Sequence, residues 1–288
     1  MITPKLAHDA LLQDIRDSSA EDDFSVWWLG QSGFLIKWQN SFLLFDPYLS
    51  NSLTRKYADT DKPHVRMTEL AIDPNRLDFV DVVTSSHNHT DHLDGETLTA
   101  LRSANPSLQI VVPAANQQFA ADRLEVEASC LLPIDAGQSR MVGPFELLAV
   151  PAAHETVERD EEGRCKFIGL IAKFGSWTVY HSGDTMLFDG IEDILKPHGI
   201  DLALLPINGR APERRVAGNL WGREAAELAA NVGTQVVIPC HYDMFEFNTA
   251  TPVEFVDVCH KLGQRHQVLE CGESWSSAML ASGKFNGL

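Results

Sequence analysis

The chain is expected to fold as an α/β sandwich of two mixed β-sheets packed face to face, with helices on the outside. Two observations carry this expectation. Each half of the sequence runs through short apolar strands and then into alternating strand and helix patterns, with no linker or low-complexity stretch between the halves. The composition, 44% hydrophobic and 22% charged over 288 residues, supplies a large core and is not that of a disordered chain. A single domain over residues 1–288 follows, with residues 1–23 as an N-terminal helix or arm.

Taken in order, Leu6, Ala10, Leu11 and Ile15 give the first segment amphipathic helical spacing, and the segment ends in an acidic cluster at Glu21, Asp22 and Asp23. FSVWWLG, GFLIKWQ and SFLLFDP then read as three strands. Gly30 and Gly33 mark the first break and Gln39-Asn40 the second, and such short connections make an antiparallel meander. Residues 48–75 form a long polar loop carrying Arg55, Lys56, Lys62, His64 and Arg66; loops of this length are often functional. DFVDVVTSS, ETLTALRSA, QIVVP and AANQQFAADRL alternate strand and helix, which places parallel strands against helices.

The second half repeats the scheme. FELLAVPAAH, KFIGLIAKF and WTVYHSGDT are strands interrupted by a charged insertion from Glu155 to Lys166. MLFDGIEDILKPHG is a helix, DLALLPING a strand, REAAELAANVG a helix and TQVVIPCH a strand. PVEFVDVCHKLG closes the pattern as a helix, followed by two short strands.

Charge narrows the partners. With 23 Lys+Arg against 40 Asp+Glu, the net charge of −17 argues against a nucleic-acid or anionic-membrane surface, while leaving room for a small basic pocket. No apolar run is long enough for a signal peptide or a membrane span. The five cysteines are scattered without a CxxC pair, which suits a reduced, cytoplasmic protein. The N-terminal helix is a candidate surface for homo-oligomerisation.

The chemistry concentrates in Ser85-Ser86-His87-Asn88-His89-Thr90-Asp91-His92, between an apolar strand and a helix. That is the carboxyl end of a strand, where open α/β sheets build their sites. His87 and His89 are two apart and project to one side in extended backbone. Asp91 and His92 follow where the chain turns, toward a second position nearby. Three imidazoles and a carboxylate suit zinc, manganese or iron. His154, Asp184 and His241 stand at the ends of three further strands, so five histidines and two aspartates suffice for two metal ions. Asp46 is expected to orient a histidine or cap a turn. His181 and Cys240 are expected in the interior rather than as ligands. His8, His64, His198, His260 and His266 have no supporting context.

HNHTDH, followed in order by His154, Asp184 and His241, resembles the metallo-β-lactamase fold superfamily of metal-dependent hydrolases. The flanks VWWLGQSGF, LLFDPYLS, YHSGDT and VVIPCHYDMF resemble its L-ascorbate-6-phosphate lactonase-like family, over about residues 24–272. The resemblance implies the four-layer αβ/βα sandwich. It also implies a first metal site of His87, His89 and His154, a second of Asp91, His92 and His241, and Asp184 as bridging carboxylate. The presence of His154 resembles the fuller two-metal set of glyoxalase II and tRNA-processing ribonuclease relatives. The family points to manganese and the superfamily at large to zinc.

The chemistry so implied is hydrolysis by a metal-bound hydroxide. Two divalent ions roughly 3.5–4 Å apart lower the pKa of a shared water toward about 7. Asp91 and Asp184 are the catalytic carboxylates, Asp91 orienting the nucleophile as well as binding metal. The expected substrate is a lactone or carboxylic ester in a small anionic metabolite, with a phosphodiester as the alternative and a non-catalytic metal-stabilised binding protein as a remote one. Arg210, directly after the strand PING, is the candidate for holding the anion, among Arg210, Arg214, Arg215 and Arg223. Trp221 and the segment Tyr242 to Phe245 are candidate pocket walls.

Overall fold

The computed structural model describes residues 1–18 and 22–282, with no side-chain description for 281–282. After α1 (His8–Asp17) come the antiparallel strands β1 (Phe24–Trp28), β2 (Phe34–Trp38) and β3 (Ser41–Phe45), the expected meander. A short helix α2 (Ser52–Lys56) precedes β4 (Val82–Thr84), α3 (Gly95–Ala104), β5 (Gln109–Pro113), α4 (Gln117–Leu124) and β6 (Leu131–Ile134). The second half comprises β7 (Ser139–Val142), β8 (Phe145–Pro151), β9 (Ile168–Phe174), β10 (Trp177–His181), α5 (Ile191–Leu195) and β11 (Leu202–Pro206). It ends with α6 (Gly222–Val232), β12 (Val236–Cys240), α7 (Val253–Leu262), β13 (Ser274–Ser276) and α8 (Ala278–Ser282).

These strands form two mixed sheets, in the orders β13-β1-β2-β3-β4-β5-β6 and β12-β11-β10-β9-β8-β7. In the first, pairing is antiparallel from β13 to β3 and parallel from β3 to β6. In the second, β10, β11 and β12 are parallel, while β7 to β10 pair antiparallel. Strand directions therefore bring the carboxyl ends of β1, β3, β4, β8, β10, β11 and β12 to one edge of the sandwich. That edge carries the site.

Period-two alternation decides which side chains meet. Val26, Trp28, Leu43 and Phe45 enter the core shared by the two sheets, while Trp27, Leu44 and Val83 join a second cluster under the helices. In that cluster α1 contributes Leu11, Leu12 and Ile15, α3 contributes Leu98 and Leu101, and α4 contributes Ala120, Ala121 and Leu124. β11 and β12, covered on both faces, are apolar throughout (LALLP and VVIPC). On their outer side α6 packs through Ala225, Ala226, Leu228 and Ala229. Helix, sheet, sheet and helix make four layers.

Four expectations need correction. In α1 the buried face uses Leu12, and Ala10 is exposed. The helix is docked on its own sheet, with Trp27 Nε1 donating to Asp14 at 2.7 Å. The polar stretch 48–75 contains a helix, α2. β6 and β7 were not anticipated, because edge strands bury little and Ser139, Arg140 and Met141 are exposed. Of the two strands expected after α7, one is formed, β13; the other is reduced to an isolated bridge between Val237 and His266. The expected acidic cluster lies partly outside the described residues, at Glu21; Asp23 accepts from Ser277 Oγ at 2.7 Å. No described helix is long and apolar enough to cross a membrane.

Candidate metal centre

β4 delivers the chain to the sheet edge, and Ser85 to His92 turn there before α3 begins, with Asp94 capping α3 by accepting from Thr97 N at 3.2 Å. His154 follows β8, Asp184 follows β10 and His241 follows β12. The loop before Asp184 needs a glycine: Gly183 has φ +59°, and a Cβ there would sit 2.6 Å from the Ser86 side chain. That close approach draws the two loops together.

The seven expected residues converge. One ligand atom from each of His87, His89 and His154 lies within 4.8 Å of the others, and the same holds for Asp91, His92 and His241. Asp184 spans the groups. Its Oδ2 is 3.4 Å from His154 Nε2, while Oδ1 is 3.2 Å from His92 Nε2 and 3.4 Å from His241 Nε2. Asp91 Oδ2 is 3.6 Å from both His92 Nε2 and His241 Nε2.

The far sides of three of the rings are anchored, while His241 Nδ1 is buried without a hydrogen-bond partner among the described residues. His92 Nδ1 meets Asp46 Oδ2 at 2.7 Å, His154 Nδ1 meets the Gly218 carbonyl at 2.7 Å, and His87 Nδ1 lies 3.0 Å from Ser86 Oγ. Asp46 is itself held by Ser86, whose N–H donates to it at 2.9 Å and whose hydroxyl donates as well. Donating Nδ1–H outward leaves the Nε2 lone pairs facing the cluster. Asp46 thus orients a histidine, as expected. His181 lies in the interior, stacked on Phe45 at 4.9 Å with Nε2 on the Ser32 carbonyl, and Cys240 is buried in the core.

Electrostatics follow from this crowding. Burial drives His87 well below its usual pKa, with the neighbouring His92 acting the same way, and burial also lowers His89. Burial alone would lower His92 and His241 too, but the charges of Asp184 and Asp91 outweigh it, raising His92 well above the ordinary value and His241 to about 9. Asp184 is held well below the carboxylate range despite burial, because His241, His92 and His154 surround it.

The cluster fits a cation. Among the described residues, buried His87 Nε2, His92 Nε2 and Asp184 Oδ1 have no hydrogen-bond partner although they converge. Buried polar atoms left so are costly. Imidazole and carboxylate donors in this number suit a divalent transition metal.

A cavity of about 550 Å³ opens over the cluster, touching His89, Asp91, His154, Asp184 and His241. Its cations are Lys56, Arg123 and Arg215. Arg210 does not line it: Glu224 holds that guanidinium in a fork at 2.7 and 2.8 Å. This corrects the expectation of an anion contact there, since a satisfied ion pair beside the start of α6 is a structural element. Arg123 donates to the carbonyls of Asn88 and Leu93, both at 2.9 Å, bracing the histidine-rich loop from α4. One wall is aromatic: His64 stacks on Tyr57 at 4.1 Å and meets Phe247 edge-on at 4.5 Å, with Phe245 beside them. Of the expected wall residues Phe245 lines the cavity, whereas Trp221, Tyr242 and Met244 do not. Lys56 and His64 lie on the long polar stretch whose length pointed to a function, whereas Arg123 had no signal beyond its type, and the contacts that bring all three here are tertiary.

Comparison with known proteins agrees with this geometry. Residues 42–242 match the family model described as the beta-lactamase superfamily domain. A UPF0173 metal-dependent hydrolase of Caldivirga maquilingensis is 26% identical over 241 residues, covering 84% of this chain and 92% of that protein. The fold is shared with Igni18, a metallo hydrolase from Ignicoccus hospitalis, with a TM-score of 0.64 and 21% identity over 88% of this chain and 98% of that one. It is shared too with a possible metal-dependent hydrolase from Veillonella parvula, with a TM-score of 0.69 and 18% identity over 89% and 99%. With more than half its length matched by the family model and its histidines and aspartates gathered at one sheet edge, the chain belongs to the beta-lactamase superfamily and has the metallo-β-lactamase fold.

Proposed function

We propose that this metal-dependent hydrolase cleaves a lactone or carboxylic ester in a small anionic metabolite. The observation that carries the reading is the cavity's charge. In a chain of net charge −17, the acids lining it are Asp91 and Asp184, both engaged in the cluster, while Lys56, Arg123 and Arg215 face it. Among the described residues Lys56 has no carboxylate partner and lies over the Tyr57 ring. Arg215 pairs with Asp61 at 2.8 Å, but both are exposed and such pairs exchange readily with solvent. The flanking resemblance to ascorbate-phosphate lactonases supports the same bond and the same charge.

In this reading His87, His89 and His154 would hold one divalent ion and Asp91, His92 and His241 a second, with the Asp184 carboxylate beside both groups. Zinc or manganese held there would supply an activated water and a Lewis acid for the scissile carbonyl. Asp91, at the cavity floor, orients the attacking group through the oxygen not committed to its neighbours. Lys56 and Arg215 hold the substrate anion, and the Tyr57–His64–Phe247 wall packs against its apolar part and excludes water.

The test is hydrolysis of charged and neutral lactones and esters beside bis(p-nitrophenyl) phosphate, before and after chelation. Lactone or ester turnover that favours the charged member and is lost on chelation supports the reading. Cleavage of the phosphodiester alone would make the protein a phosphodiesterase, and cleavage of neither a binding protein.

A further inference from the structure

The turn between β1 and β2 carries a residue with no task in this scheme. Gln31 is 1% exposed, and its φ of 50° lies in the left-handed region that favours glycine. The same left-handed conformation is found at Gln39 in the β2–β3 turn, so it is the placement of the Gln31 side chain that sets this residue apart. Its carbonyl is pinned by Trp28 Nε1 and by the His241 backbone N–H, both at 2.9 Å, which couples the turn to the end of β12. The carboxamide then points into the second ligand group. Nε2 lies 2.7 Å from Asp91 Oδ2 and 3.0 Å from His241 Nε2, while Oε1 is buried without a partner.

The amide NH₂ therefore sits between a carboxylate oxygen and an imidazole nitrogen, a place where positive charge is complementary. The two ends of a carboxamide have nearly the same shape. Turning it about its terminal bond exchanges them, and presents to a cation at Asp91, His92 and His241 the oxygen that otherwise has no partner. A buried amide oxygen without a partner is costly, and here it lies on a carboxamide already directed at metal-ligand candidates.

We propose that Gln31 is a further ligand of the second metal position, through Oε1, and that this hard carbonyl oxygen biases the position toward manganese or magnesium. The first position, with three imidazoles, lacks such an oxygen and suits zinc better. The inference rests on the two-ion reading above.

The experiment measures ions bound rather than turnover. Chelated protein is dialysed against manganese or zinc, and ions per chain are counted by elemental analysis over a concentration series for wild type, Gln31→Leu and Gln31→Glu. Wild type should take up two ions. Gln31→Leu should bind the first unchanged and the second about tenfold or more weakly for manganese, with a smaller loss for zinc, and Gln31→Glu should restore the second. With cobalt, the visible bands of the second ion should shift in Gln31→Leu and not in a variant altered elsewhere in the turn. Unchanged affinities and bands in a folded Gln31→Leu would overturn the proposal. If that variant does not fold, Gln31→Asn, which withdraws the amide by one methylene, is read the same way: a weakened second ion supports the ligand and an unchanged one rejects it. Wild type that binds no ion would instead defeat the two-ion reading itself.

Discussion

Residues of one type behave differently according to what surrounds them. Arg210 and Lys56 are both cations near the sheet edge, yet Glu224 neutralises the first while the second faces the cavity among the described residues without a carboxylate partner. Lys56→Ala should raise KM for an anionic substrate about three- to tenfold, shrinking as salt rises, because the contact is exposed and screened. Arg210→Ala should leave KM unchanged and lower the unfolding midpoint instead. Steady-state kinetics at two ionic strengths, beside thermal melts, separate these outcomes. Asp184 touches both histidine groups, so Asp184→Asn should cut turnover by about a hundredfold or more and reduce bound metal together. A variant keeping full turnover and two ions would remove Asp184 from the bridging position.

At the level of elements, the start of α6 shows how a motif that looks functional becomes structural. Glu224 receives the Arg210 fork and also accepts from the Trp221 backbone N–H at 2.9 Å, satisfying a donor at the helix start. Burial acts to raise the Glu224 pKa, but the hydrogen bonds from Arg210 and Trp221 outweigh it and the folded value is lowered. A lowered carboxylate stabilises above its unfolded pKa and loses that contribution as pH falls. Glu224→Ala should therefore cost about 1–3 kcal/mol at neutral pH, and the difference from wild type should shrink toward pH 3. Denaturant melts at pH 7 and pH 3.5 give the comparison. The cavity wall has a similar origin: residues 65–67 pair with the segment after β12, Met67 N–H donating to the Met244 carbonyl at 2.8 Å, so a polar loop is carried onto the site.

For the whole molecule, the centre ties the two sheets together, since His87, His89, Asp91 and His92 come from the first and His154, Asp184 and His241 from the second. Ions bound there stabilise the folded state by mass action, about 2.7 kcal/mol at a hundredfold excess over Kd. Chelation should thus lower the thermal midpoint by about 5 °C or more, restored by adding divalent ions, as scanning calorimetry would show. No change on chelation would mean that the folded protein holds no ion.

The sequence by itself determined the two-sheet sandwich, the meander and the seven converging residues, because each rests on a local signal. Alternation buries one face of a strand, and a strand's end is visible where apolar residues give way to His or Asp. The short edge strands β6 and β7 were hidden, since they bury too little to show a pattern. Tertiary structure alone decided which charges face the cavity. Arg210 is adjacent in sequence to a strand end like the others, but its side chain is captured by Glu224, fourteen positions on. Gln31 and His64 reach the site through contacts with His241, Phe245 and Phe247, and Lys56 is carried there by α2, whose Leu53 packs with Met244 and Phe245; such long-range contacts leave no periodicity to read.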